Sequence, residues 1–193
     1  PFRQKRKQER YAAAIAKGKN MPEHGNIAGV VLAGGRSSRM GRNKALMEYN
    51  GRPLIDHMTY ILKRAGVNNI LISGEVDDYQ GIPDETPFDG PAKAMENIMR
   101  RYPAYDGFLF VPVDMPLLEP EALQTLLDYP DGAYFSGYPL PVFITAFLSE
   151  TGVSSVKELL EVLGVPSVAL PQQFQPMMTN TNTPEEWQEV LRA

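Results

Sequence analysis

From residue 27 onward the chain alternates short apolar runs with amphipathic stretches. Ile27-Ala28-Gly29-Val30-Val31-Leu32 is apolar throughout and reads as a buried strand. Gly34-Gly35 breaks it, and a polar loop runs on to about Asn43. Asn50-Gly51 signals a turn between segment 46–49 and the next element. Pro53 suits the first turn of a helix through about Arg64, in which Leu54, Met58, Ile61, Leu62 and Ala65 recur at helical spacing. Gly66 ends that helix, and Asn69-Ile70-Leu71-Ile72-Ser73 reads as a second strand. Residues 74–90 form a loop punctuated by Pro83, Pro87 and Gly90, before a helix over 92–101 with Ala94, Met95, Ile98 and Met99 on one side. Residues 108–113 read as a third strand, apolar on both faces, with pairing that must end or bulge near Pro112.

The second half is less regular. A helix is expected over 119–127, strands over 133–135 and 142–147, and a helix over 154–163 capped by Ser154 or Ser155. A short strand over 167–170 follows, then a final helix with Thr183 as cap, Pro184 in its first turn and Glu186 closing a capping box. The alternation predicts an α/β fold. It would be a three-layer, Rossmann-like nucleotide-binding arrangement, with a mostly parallel sheet, helices on both faces and antiparallel additions in the second half. Ligands of such sheets bind outside the carboxyl ends of the strands. That rule selects the loop after Leu32, the ground after Ile72, the loop from Asp84 to Gly90, and Asp114 after Val113.

Charge divides the chain. Residues 1–20 hold seven basic residues against one acid, a net +6, which leaves −10 for the remainder of a chain whose formal charge is −4. Residues 1–24 read as a basic, helix-forming arm and linker, and residues 25–193 as a single domain. Met21 is a candidate natural start, and the arm reads either as solvated or an expression remnant, or as a docking element for an acidic partner or a nucleic acid. A net-acidic body argues against a nucleic-acid platform, but not against one bound nucleotide. With no cysteine and only His24 and His57, thiolate and multi-histidine metal sites are excluded, so a metal would be a hard cation on oxygen ligands. No apolar run approaches the roughly 18 residues of a membrane span, and no apolar stretch follows the basic N-terminus. A cytoplasmic protein is expected.

The densest chemical signal is Leu32-Ala33-Gly34-Gly35-Arg36-Ser37-Ser38-Arg39-Met40-Gly41-Arg42-Asn43-Lys44. Glycines let backbone amides approach an anion, and Arg39 and Lys44 add charge where phosphates would lie. It matches neither of the two common phosphate-loop spacings. Asp114 follows a buried strand, where a carboxylate can serve a ligand or cap the segment at 116–121. Asp84-Glu85 reads as a site loop or as a solvated one. Asn180 and Asn182 alternate on an extended stretch, so both amides can face one way, while Asn182 and Thr183 can equally cap the last helix. Lys93 reads as a ligand contact or as an exposed helix lysine. Trp187 reads as a packing residue, and His57, inside a helix, as a surface or half-buried residue and not a base.

The first of these stretches resembles the L-A-G-G-x-S-x-R-M-G-x-x-K signature of the molybdenum cofactor guanylyltransferase family. Gly51-Arg52-Pro53-Leu54 is similar to the family's G-x-P-L step, and Asn180-Thr181-Asn182-Thr183-Pro184-Glu185 to its N-x-N-T-P-E motif. The likeness spans residues 27–193. It departs at Ser73, where the family commonly has asparagine, at Ala94, which replaces a glycine, and at Tyr138-Pro139-Leu140-Pro141. The resemblance implies transfer of GMP from GTP to molybdenum-molybdopterin, with release of pyrophosphate. It implies Mg²⁺ on Asp114, with Arg39 and Lys44 stabilising the leaving group. Leu32, Ala33, Gly34, Gly35, Ser73 and Asp84 would belong to the nucleotide site, and Asn180 and Asn182 would meet the pterin. Gly34-Gly35 resembles the guanine-specific branch. A cytidylyltransferase for the same cofactor, a guanylyltransferase for a corrinoid phosphate and a non-catalytic nucleotide- or cofactor-binding protein remain alternatives. Transient contacts with cofactor-biosynthesis proteins or molybdoenzyme chaperones are possible partners.

Overall fold

The computed structural model describes residues 26–34, 43–85, 90–145 and 151–192. The basic arm, Gly35 and Arg39 lie outside the described residues.

Strand β1 (Ile27–Leu32) lies one strand in from the edge of a six-stranded sheet. It pairs in parallel with β4 (Asn69–Ser73) on one side and β5 (Gly107–Pro112) on the other. Beyond β5 the sheet turns antiparallel through β7 (Tyr138–Ile144) and β6 (Gly132–Phe135), and β8 (Ser167–Val168) closes the far edge beside β6. This is the expected mixed sheet, parallel where βα units repeat and antiparallel where the second half becomes irregular.

Period-two alternation divides the core. Val31, Leu109, Val111 and Phe143 face α1 (Leu54–Arg64) and α3 (Pro120–Leu127), with Phe174 and Trp187 completing that layer. Val30, Leu32, Phe108, Phe110 and Val142 face α2 (Pro91–Arg101) and α4 (Val156–Leu163). Both faces of β1 and β5 are covered, which is why these two strands are buried at every position.

Several local expectations are met. Asn50 and Gly51 both have positive φ (49° and 76°), turning a small hairpin between β2 (Glu48–Tyr49) and β3 (Arg52–Pro53). Ser155 caps α4, and Thr183 with Glu186 forms the capping box of α5 (Pro184–Val190). Pairing between β5 and β7 stops at Phe110, short of Pro112, as a residue without an amide proton requires.

Others are corrected. The helix after β3 starts at Leu54, with Pro53 outside it, and β8 stops at Val168. Strand β7 begins at Tyr138 and ends at Ile144, although Pro139 and Pro141 argue against a strand there. The prolines are tolerated because β5 pairs only with residues 142–144, so this end of β7 has no neighbour on that side. A 3₁₀ helix, Gln172–Met178, carries Pro176 inside it, and its short, irregular apolar spacing gave no helical signal.

Candidate active site

The carboxyl ends of β1, β4 and β5 form one edge, and the loops there interlock through backbone. Ser73, the last residue of β4, accepts amide hydrogen bonds from Ala33 (2.8 Å) and Gly34 (3.0 Å) on its carbonyl. Gly74 has φ 106°, and any Cβ there would run into the backbone of Gly34. Only glycine allows this approach. Two consequences bear on the sequence reading. The amides of Ala33 and Gly34 are used within the protein, bonded to the Ser73 carbonyl. Ser73 is 2% exposed, and its carbonyl anchors the loop after β1.

Asp84 is half-buried beside the same junction. A Cβ on Gly34 would stand 3.2 Å from its Oδ2. Its neighbours are held by α2: Asn97 donates to the Pro83 carbonyl at 3.4 Å, and Arg100 pairs with Glu85. The segment is therefore pinned, unlike a solvated loop. On the other side of loop 74–82, Tyr79 donates to Asp56 of α1 at 2.9 Å. Burial, and then Asp56 itself, push that phenol up to about 12.

Lys44 opens a 3₁₀ turn, Lys44–Leu46, whose first amides need an acceptor. The Asn43 side chain supplies it, accepting from the Ala45 amide at 3.0 Å. The Lys44 ammonium donates to Asp114 Oδ2 at 3.2 Å and to Asn182 Oδ1 at 2.9 Å. The Lys44 and Asp114 side chains are 16% and 19% exposed, so solvent still reaches the pair. Asp114 does not cap α3; Glu119 holds that position. Its own carbonyl receives the amide (2.9 Å) and hydroxyl (3.2 Å) of Thr181, which is buried between Asn180 and Asn182. Glu186 accepts from the amides of Asn182 and Thr183, the former at 2.5 Å, and so fixes the segment that brings Asn182 to Lys44. Asn180 is exposed. The helix cap and the contact at Lys44 hold together at Asn182.

Thus Lys44, Asp114 and Asn182 meet, and Gly34, Ser73 and Asp84 meet at the neighbouring strand ends. A cation, a carboxylate and an amide converging there can bind and orient a phosphorylated ligand, and Asp114 with Asn182 offers oxygen donors to a hard metal. Among the described residues no three His, Cys, Asp or Glu side chains cluster as a metal cage.

Sequence reasoning missed Asn43 and Thr181. An asparagine two residues before Ala45 is a local cap signal. The inward role of Thr181 has no signal beyond its place between two outward residues. Lys93 also differs from both readings. It pairs with Glu96 at 3.1 Å, and Glu96 takes the amide and hydroxyl of Thr151 at 2.8 and 2.6 Å.

Residues 29–145 match the family model of the MobA-like NTP transferase domain. A molybdenum cofactor guanylyltransferase from Xanthomonas euvesicatoria is 34% identical over 176 residues, covering 84% of this chain and 93% of that protein. Among solved structures, molybdopterin-guanine dinucleotide biosynthesis protein A from Archaeoglobus fulgidus aligns with a TM-score of 0.62 at 19% identity, over 86% of this chain and 97% of that one. A nucleotidyl transferase from Methanothermobacter aligns at 0.64 and 19%, over 86% and 96%. These two share the fold. By the extent of the family match and the identity to its full-length relative, this chain belongs to the MobA-like NTP transferase family of nucleotidyltransferases.

Proposed function

We propose that the protein transfers GMP from GTP to molybdenum-molybdopterin, forming the guanine dinucleotide cofactor and pyrophosphate. The observation that carries this reading is the meeting of Lys44, Asp114 and Asn182, drawn from three distant motifs, at the ligand-binding edge of the sheet. The substrates follow from the name of the Xanthomonas relative and from Gly34-Gly35.

In this reaction a phosphate oxygen of the acceptor forms a bond to the α-phosphorus of GTP. The bond from that phosphorus to the bridging oxygen of the β-phosphate breaks, and pyrophosphate leaves with the electron pair. An ionised phosphate needs no activating base, so positioning and charge supply most of the catalysis. Lys44, and Arg39 from the same loop, stabilise the leaving pyrophosphate. Asp84, beside Gly34, serves the nucleotide, and Asn180 and Asn182 serve the pterin side. The donor set fits Mg²⁺, which commonly takes one or two carboxylates and completes its shell with phosphate oxygens and water. Asp114 would hold the ion, which supplies charge neutralisation on the phosphates when bound. No helix among the described residues is long and apolar enough to cross a membrane.

Pyrophosphate release tests the reading, using the purified protein with Mg²⁺ and molybdopterin and each of GTP, CTP, ATP and UTP in turn. Release with GTP alone, lost in Asp114→Ala, is expected. Release with CTP alone would assign the cytidylyl reaction, and none with any nucleotide would overturn the enzyme reading.

A further inference from the structure

We propose that His57 is a positioning residue for Asp114. It anchors the turn that carries the carboxylate, and the edge-on rings of Tyr49 and Trp187 link it to the C-terminal segment that carries Asn182. The proposal rests on Asp114 acting in nucleotidyl transfer as described above.

The turn from Asp114 to Pro116 is fastened at both ends by residues remote in sequence. Thr181 donates its amide and hydroxyl to the Asp114 carbonyl. Two residues on, the Nε2 of His57, from the first turn of α1, lies 2.9 Å from the Pro116 carbonyl. Pro116 is buried, and a buried carbonyl needs a donor. Carbonyl oxygen only accepts, so this contact places the imidazole proton on Nε2.

The two fastenings are joined. The Tyr49 ring meets His57 edge-on, with centroids 5.0 Å apart and planes at 74°. It meets Trp187 of α5 at 6.2 Å and 61°. Trp187 is 4% exposed and lies one residue after Glu186, which fixes Asn182. A ring of contacts thus runs from His57 through Tyr49, Trp187, Glu186 and Asn182 to Lys44 and Asp114. Reacting groups must be held within a fraction of an ångström, so a loosened Asp114 turn would also disturb the ammonium bonded to it.

Two measurements test this on His57→Leu and His57→Gln. Deuterium uptake over residues 113–119 reads the anchor directly, and steady-state pyrophosphate release reads its consequence. The glutamine amide can restore a donor that leucine lacks. Faster uptake in His57→Leu is expected, with kcat lowered about 10- to 100-fold, KM for the nucleotide within about twofold, and most of the loss recovered by His57→Gln. Wild-type uptake and kcat in His57→Leu would overturn the proposal. So would an equal loss in both variants, which would assign His57 a packing role. Absence of pyrophosphate release by the wild type would instead overturn the proposed reaction, and uptake alone would then decide whether His57 holds the turn. Should the leucine variant fail to fold, His57→Asn, whose amide is too short to reach, takes its place.

Discussion

Lys44 and Asn182 stand 138 residues apart in the chain, yet the lysine ammonium donates to the asparagine amide oxygen at 2.9 Å. The bond joins the loop after the first strand to the motif before the last helix. It also sets the direction of the ammonium, because Asp114 accepts from the same nitrogen. Asn182→Ala removes one of these two acceptors and leaves the other. Hydrogen bonds to charged groups contribute roughly 1.5–3 kcal/mol, and this one, partly open to solvent, falls at the low end. Expected outcomes are a stability loss of about 1.5 kcal/mol in denaturant unfolding and a fall in kcat larger than that loss implies. Unchanged kcat in a folded Asn182→Ala protein would separate Asn182 from the reaction.

Gly74 makes a second, sharper prediction. Its φ of 106° is strained for any side chain, and a Cβ would collide with the backbone of Gly34. Gly74→Ala must therefore displace the loop after β1 or the loop that carries Asp84. Backbone strain of this kind costs on the order of 1–3 kcal/mol before any clash is counted. Thermal unfolding should show a lower Tm, and GTP affinity should fall with it. A Gly74→Ala protein with unchanged Tm would mean that the two loops separate at no cost.

What could be read from the sequence divides along physical lines. β1 and β4 were visible as short continuous apolar runs, and α1 because burial of one face imposes a helical period on its apolar residues. Lys44, Asp114 and Asn182 were visible because strand ends and caps carry recognisable residue types. Their mutual distances were not visible, since no local pattern encodes a contact across 70 or 138 residues. The burial of Ser73 was hidden for a related reason: it comes from contacts with the Gly34 amide and with Ile82, which no local pattern encodes. The prolines at 139 and 141 misled because propensity cannot report which side of a strand lacks a neighbour.

His57 makes stability depend on pH in a definite window. Burial lowers its pKa below 6.5, the Pro116 carbonyl opposes that, Arg52 adds to it, and the net shift is downward. The unfolded chain therefore takes up a proton at higher pH than the folded one. Stability is full above the unfolded value of 6.5 and is lost as pH falls from there through the folded value. A His57→Gln protein should lose less Tm than the wild type over that acid step. Parallel Tm curves would remove His57 as a contributor.

Glu96 sets a second window at lower pH. Burial pushes its carboxyl up, but the hydroxyl and amide of Thr151 and the ammonium of Lys93 outweigh burial and hold it below 4.5. Its contribution is present above the unfolded value and is lost as pH falls through the folded one. Glu96→Gln keeps the size and loses the charge. Its Tm deficit against the wild type should be largest near neutral pH and shrink below pH 4.5. A deficit that stays constant into acid would mean that Thr151 and Lys93 do not favour the charged form.

The pair of Lys44 with Asp114 admits two explanations, and a double-mutant cycle separates them. The lysine could serve only to neutralise a carboxylate that is 19% exposed at a strand end. Asp114→Asn would then remove the need for it, and the double variant Lys44→Ala, Asp114→Asn would turn over as fast as Asp114→Asn alone. The proposed reaction instead gives the two residues separate work, Lys44 on the leaving phosphates and Asp114 on the metal. Lys44→Ala should then lower kcat by roughly 10²- to 10³-fold, the loss seen when one electrostatic donor is removed from a developing charge. The double variant should be slower than either single variant, because a second, independent contribution is lost. Lys44→Arg should not restore the rate, since a planar guanidinium cannot place one compact charge between Asp114 and Asn182 as the ammonium does.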